Sequence, residues 1–392
     1  MPGQVIRVYP ASGANAMLPL TPFNGYNPTL LFCGGQVMPD AAWGDYGFPH
    51  IDTWNVVASA DCHRITPEPA DGSSPDYVQD DNLPVGRTMG QFIALPDGTL
   101  LLLNGAKNGT AGYATQTSTT PLTANMPYGM SLAAGPVGQP AIYNPNAPAG
   151  SRWSSAGLGS SNIPRMYHSS AILLPDGSVM VAGSNPNPDV NLATTFPTTY
   201  TAEYFYPPYF SAKTRPVPQN VPTTLSYGGN PFDITVPPSS YTGDPNDAAG
   251  NTTVWLIRQG FTTHAMNQGQ RSMQLNNTFT VQNDGTIIIH TAQPPPFPNL
   301  FQPGPAFLFV TISGIPSNGT FVTLGNGQVG TQPTSPASVL PPSVRSTGAS
   351  GSGTSSGSND GKKNGASPSL SHSCVSYSLV PLVALVLSLV FS

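Results

Sequence analysis

Charge is scarce in this chain. Lys and Arg number 13 and Asp and Glu 18, together 8 % of 392 residues, and no basic run exceeds Lys362-Lys363. A net charge of -5 without a basic stripe leaves no footprint for nucleic acid or for an anionic membrane face. Cysteine is scarce as well, with Cys33, Cys62 and Cys374 the only three. A densely stapled scaffold and a thiolate metal cluster are therefore excluded, and Cys33 and Cys62 form either one disulfide or two buried thiols. Also missing is a secretory leader, because Met1-Pro-Gly-Gln-Val-Ile-Arg has no basic segment followed by an apolar run. The natural start is therefore expected upstream of Met1.

Punctuation is what the chain has in excess. With 45 Pro and 41 Gly, long helices are ruled out and short strands joined by turns are expected. Leu95-Pro-Asp-Gly-Thr-Leu-Leu-Leu-Leu-Asn-Gly and Leu174-Pro-Asp-Gly-Ser-Val-Met-Val-Ala-Gly repeat 79 residues apart, each reading as strand, Asp-Gly hairpin turn, strand and glycine. Thr29-Leu-Leu-Phe-Cys-Gly-Gly is a weaker third copy. Strands such as Ala141-Ile-Tyr and Ala202-Glu-Tyr-Phe follow the two strong copies, which is the pattern of kelch-type propeller blades. Beyond Phe210 the pattern becomes alternating strands at 252–258, 271–275, 278–282, 286–291, 306–312 and 319–324. The chain thus reads as all-β: about three blades of a kelch-type β-propeller over 1–212, then an immunoglobulin-like β-sandwich over 213–328.

The C-terminal end carries addresses rather than fold. Residues 329–366 are Ser, Gly, Thr and Pro with almost no large apolar side chain, the composition of a flexible linker. Residues 367–392 combine a polar spacer with an apolar tail from Leu379, a pattern that fits a GPI-anchor signal with Asn364 as the attachment residue. Sequons at Asn108, Asn251, Asn276 and Asn318 are N-glycan acceptors in a secreted protein. An extracellular, GPI-anchored protein at the plasma membrane or cell wall is the expectation, with the anchor as its one link to a membrane.

Ligand-capable side chains mark one blade. When the two strong repeats are aligned, Thr88-Met89 in the first falls opposite Tyr167-His168 in the second. Neighbouring strand residues point to opposite faces, so this pair converges on one metal only at the start of a strand or in a loop. His264, in the polar loop Gly260-Phe-Thr-Thr-His-Ala-Met-Asn-Gln-Gly-Gln-Arg271, is the third candidate. Imidazole and phenol together favour copper or iron over magnesium or calcium. His50, His63 and His290 lack such company and read as structural, and Phe307 and Phe309 read as core.

Four motifs in order carry a resemblance: Arg165-Met-Tyr-His-Ser-Ser-Ala-Ile-Leu-Leu-Pro-Asp-Gly177, Gly183-Ser-Asn-Pro, Gly260 to Arg271, and Pro303-Gly-Pro-Ala-Phe-Leu-Phe309. Together they resemble the glyoxal oxidase branch of the copper radical oxidases, relatives of galactose oxidase. The resemblance implies a seven-bladed propeller with an early-set C-terminal domain. It implies one copper ion held by Tyr167, His168 and His264, with Tyr167 as general base. It also implies a radical cofactor, a tyrosine joined to a cysteine by a thioether, and oxidation of small aldehydes, α-hydroxycarbonyls or alcohols as O2 becomes hydrogen peroxide. Residues 1–166 offer no match for the cross-linked pair, so this chain alone is expected to be an inactive portion of the oxidase. The alternative from another class is a non-catalytic cell-surface protein that binds glycans or proteins. Retention of Tyr167, His168 and His264 speaks against it.

Overall fold

The computed structural model describes residues 2–43, 48–264 and 266–347. The GPI signal, Asn364 and half of the expected linker lie outside those residues. Strands dominate, as the composition requires, and they separate into blades followed by a sandwich.

The first blade is β1 (Ala14–Met17), β2 (Leu30–Cys33), β3 (Cys62–Ile65) and β4 (Tyr77–Gln79), antiparallel and in that order. Cys33 lies directly across from Cys62, and the two are joined as a disulfide, which decides between the bonded and free states. The second blade starts with β5 (Gln91–Ala94) and β6 (Leu100–Leu103). The chain then leaves for a long hairpin, β7 (Ala106–Tyr113) and β8 (Pro127–Pro136), and returns with β9 (Ala141–Tyr143) and β10 (Trp153–Ser154). The third has β11 (Ser169–Leu173), β12 (Val179–Gly183) and β13 (Glu203–Phe205).

In the sandwich, β14 (Thr224–Leu225), β15 (Tyr227–Gly229) and β16 (Phe232–Val236) precede β17 (Thr252–Arg258). A two-stranded hairpin, β18 (Phe261–Thr263) and β19 (Met266–Gln268), separates β17 from β20 (Arg271–Leu275), β21 (Asn277–Val281) and β22 (Ile287–Thr291). Then come β23 (Gly304–Ile312), β24 (Ile315–Pro316), β25 (Thr320–Leu324) and β26 (Thr334–Ala337). One sheet runs β14-β25-β23-β17-β20 and faces β16-β22-β21. Residues from 331 to 346, expected to begin the linker, instead hold to the sandwich: β26 pairs with β15, and the Val344 N–H donates to Phe279 O at 2.7 Å. Composition misled here because backbone hydrogen bonds can anchor a segment that has no large apolar side chain.

Alternation in β17 explains how the two parts join. Val254 and Leu256 point into the sandwich core with Leu308, Val310 and Ile289. Trp255 and Ile257 point the other way, into the core that also holds Phe92, Leu101, Leu173 and Val179 of the blades. The repeated Leu-Pro-Asp-Gly turns are the seats of this contact. The Pro175 carbonyl accepts the Gly319 N–H at 2.7 Å, Pro96 O accepts the Thr311 hydroxyl, and Arg215 donates to Asp176 O at 2.7 Å.

Gly98 occupies the tightest point of that seat. It has φ +84°, and a Cβ there would lie 2.7 Å from Cζ2 of Trp255. Replacement by alanine would therefore overpack the junction as well as strain the turn. Gly98→Ala is expected to lower unfolding free energy by about 1–3 kcal/mol, read as a lower urea midpoint at unchanged slope.

Candidate metal centre

Tyr167 and His168 sit in a tight turn that ends where β11 begins. Arg165 anchors the turn: its guanidinium pairs with Glu203 at 2.8 Å and donates to Gly183 O at 2.7 Å. Backbone bonds close it, from Ser169 N–H to Met166 O at 3.0 Å and from Asn185 N–H to Tyr167 O at 2.7 Å. His168 adopts φ +64°, a left-handed conformation that breaks the strand alternation. The two rings consequently lie on the same side, with centroids 3.9 Å apart.

His264 arrives from the opposite domain at the tip of the β18–β19 hairpin, also left-handed at φ +51°. Amide side chains fasten the stem of this hairpin to the innermost strands of the blades. Gln270 donates to Phe92 O at 3.1 Å and accepts the Ala94 N–H at 2.9 Å, and Asn267 donates to Phe92 O at 3.3 Å. On the other side Gln259 donates to Leu173 O and Thr262 to Ala171 O. At the tip the Thr263 hydroxyl lies 2.9 Å from Nδ1 of His264, which leaves Nε2 for a metal.

The three expected residues are thus brought to one place from two elements. Partial burial holds the His168 imidazole below the usual histidine range, and the nearby His264 pushes it the same way. Both effects favour the neutral imidazole, the form that binds metal. Two imidazoles and one phenol, with no carboxylate among them, suit copper better than a hard cation. Among the described residues no group of three His, Cys, Asp or Glu offers a competing site. His50, His63 and His290 are occupied elsewhere, by Ala41 O, Asp61 and Asp233 respectively.

Sequence reasoning missed the aromatic surroundings. The ring of Tyr9 stands edge-on to His264 at 5.4 Å between centroids and 6.4 Å from Tyr167. Tyr128 on β8 stacks on Phe196 at 5.8 Å, and both rest with Met89 and Met166 in the small cluster that backs the site. No periodicity marks these residues, since β7–β8 and the 184–200 loop fall outside the blade repeat.

Comparison with known proteins identifies the family of the chain. Residues 1–209 match the family described as glyoxal oxidase N-terminus, and 215–324 match the galactose oxidase-like early set domain. An aldehyde oxidase GLOX from Vitis pseudoreticulata is 33 % identical over 323 residues, covering 81 % of this chain and 54 % of that protein. Aldehyde oxidase GLOX1 of Arabidopsis thaliana is 33 % identical over 330 residues, 81 % of this chain and 48 % of its own length. The chain therefore spans about half the length of the curated relatives it matches. Among solved structures, a fungal alcohol oxidase of the AA5 family in complex with copper superposes with a TM-score of 0.56 at 19 % identity, over 80 % of this chain and 54 % of that one. That likeness shows a shared fold.

Loss of the hydroxyl that orients His264 should weaken a metal without removing a ligand. Thr263→Val is expected to reduce Cu(II) affinity about 10–100-fold, whereas His264→Ala reduces it further, both read by calorimetric titration.

Proposed function

The chain belongs to the glyoxal oxidase family of copper radical oxidases, and on that premise we propose that it supplies the ligand-bearing part of an oxidase for small aldehydes, α-hydroxycarbonyls or alcohols, with dioxygen reduced to hydrogen peroxide. The convergence of Tyr167, His168 and His264 is the observation that supports this reading most directly. Tyr167, His168 and His264 would hold the copper, which would supply two-electron redox chemistry between the substrate and dioxygen. For an aldehyde hydrate, loss of two electrons and two protons gives the acid, and dioxygen gains them as peroxide.

The residues of this chain have separable tasks in the proposal. His168 and His264 would hold the metal through imidazole nitrogen. The Tyr167 oxygen receives the substrate hydroxyl proton as general base. Met89, Met166 and Phe196, all buried, keep water from the rear of the site. Cys33 and Cys62 are bonded to each other, so neither is available for a thioether to tyrosine. On this reading neither of them supplies the family's cross-linked cysteine, and these residues alone would bind copper without turnover.

The same proposal includes secretion, N-glycans and a GPI anchor at Asn364. Asn251, Asn276 and Asn318 are exposed, and Asn108 is half-buried on β7. Release of the protein from cell surfaces by phosphatidylinositol-specific phospholipase C is the expected behaviour, and retention after treatment would count against the anchor.

Expressed together with the blades expected upstream of Met1, the protein is expected to produce peroxide from glyoxal, methylglyoxal or simple alcohols in a coupled peroxidase assay. Tyr167→Phe should lower kcat about 100–10,000-fold. Absence of peroxide from the copper-loaded wild type with every substrate would leave the oxidase reading without support.

A further inference from the structure

Strand register shows that the first blade departs from its sisters at the position of the metal ligands. Cys33, Leu103 and Ala182 are equivalent, each preceding two residues of positive φ, and they pair with Ala14, Gln91 and Ser170. Counting back from those partners aligns Ser12, Met89 and His168, which share left-handed φ values of +48°, +59° and +64°. Just upstream, Thr88 bridges Ala106 and Ile6 bridges Gln36 in the same way, while Tyr167 O accepts from Asn185. Thr88-Met89 and Tyr167-His168 are therefore adjacent pairs, whereas Ile6 and Ser12 bracket an inserted segment, Arg7–Ala11.

That insertion is held on every side. Its base closes through Ser12 N–H to Val8 O and Gly13 N–H to Arg7 O, both 2.9 Å. Arg7 is buried and pairs with Asp61, Pro10 O accepts the Ala111 N–H at 2.8 Å, and Ala11 O accepts the Thr88 hydroxyl. Its middle residue is Tyr9, whose ring meets His264 at an interplanar angle of 88°. The amide and hydroxyl bonds that tie the His264 hairpin to β5 and β11 lie at its stem. Tyr9 gives the tip a contact with the first blade.

We propose that Tyr9 is a positioning residue of the metal centre: its ring, carried on the insertion Arg7–Ala11, sets the orientation of the His264 imidazole by edge-to-face packing. The inference rests on the reading of Tyr167, His168 and His264 as copper ligands. An edge-to-face aromatic contact is sensitive to ring geometry, so removal of the ring alters the ligand angle as well as the affinity.

Cu(II) titration and electron paramagnetic resonance of the full chain test this directly, with Tyr9→Phe, Tyr9→Met and Tyr9→Leu compared with wild type. Tyr9→Phe is expected to keep wild-type affinity and spectrum. The ringless variants are expected to bind about 2- to 12-fold more weakly, with shifted parallel g and copper hyperfine values. Thermal melts identify folded variants, and methionine, which fills similar volume, carries the test if leucine unfolds the insertion. Wild-type affinity and spectrum in a folded ringless variant overturn the proposal, as does an equal loss in Tyr9→Phe, which would assign the effect to the hydroxyl. Failure of wild type to take up copper, by contrast, removes the metal-centre reading itself and the inference with it.

Discussion

Everything at the centre depends on a single constraint, the need to satisfy the backbone edges that β5 and β11 turn toward the propeller axis. Unpaired strand edges in a narrow channel attract further strands or demand substitutes. The sandwich supplies substitutes in the form of amide and hydroxyl side chains, Gln270 and Asn267 on β5 and Gln259 with Thr262 on β11. A hairpin made apolar for burial would leave those carbonyls unpaired at a cost of about 1–3 kcal/mol each. The polar character of Gly260 to Arg271 is thus a requirement of this contact, and it also carries His264 to the ring of Tyr9.

Seating that hairpin requires a rigid base. β17 serves two cores at once, with Val254 and Leu256 facing the sandwich and Trp255 and Ile257 facing the blades. The Asp-Gly turns meet this sheet with almost no clearance, which fixes the height from which the hairpin enters. A shift of one residue in β17 would exchange its two faces and misplace His264, so register and metal geometry are set by the same alternation. Left-handed residues then do the final aiming. Each such residue costs about 1–2 kcal/mol, which the anchoring around Arg165 on one side and the amide bonds on the other offset.

Much of this architecture is legible in the amino-acid sequence. The period of 79 residues located the second and third blades, and six expected sandwich strands lie within about two residues of β17, β20, β21, β22, β23 and β25. Tyr167-His168 stood out because a sister repeat lacks both side chains. Legibility failed wherever placement depends on backbone bonds or non-repeating loops. β26 looked like linker because its side chains are small and exposed, and β7–β8 interrupts the second blade without a compositional mark. Tyr9 was invisible for a different reason: its significance lies in register, and register with Gln36 and Cys33 is a property of paired strands.

The blades also show how a repeated scaffold varies one position. At the same point in the repeat, one blade presents Thr88-Met89, another Tyr167-His168, and a third an insertion carrying Tyr9. The buried arginines diverge in step. Arg7 and Arg165 each face a carboxylate, whereas Arg87 bonds only to the Asn104 and Gln139 carbonyls, and burial pushes its guanidinium down to about 10. The three arginines do not share one register position: Arg7 lies within the insertion, Arg87 directly precedes Thr88, and Arg165 stands two residues before Tyr167, so each blade secures this point by its own contacts.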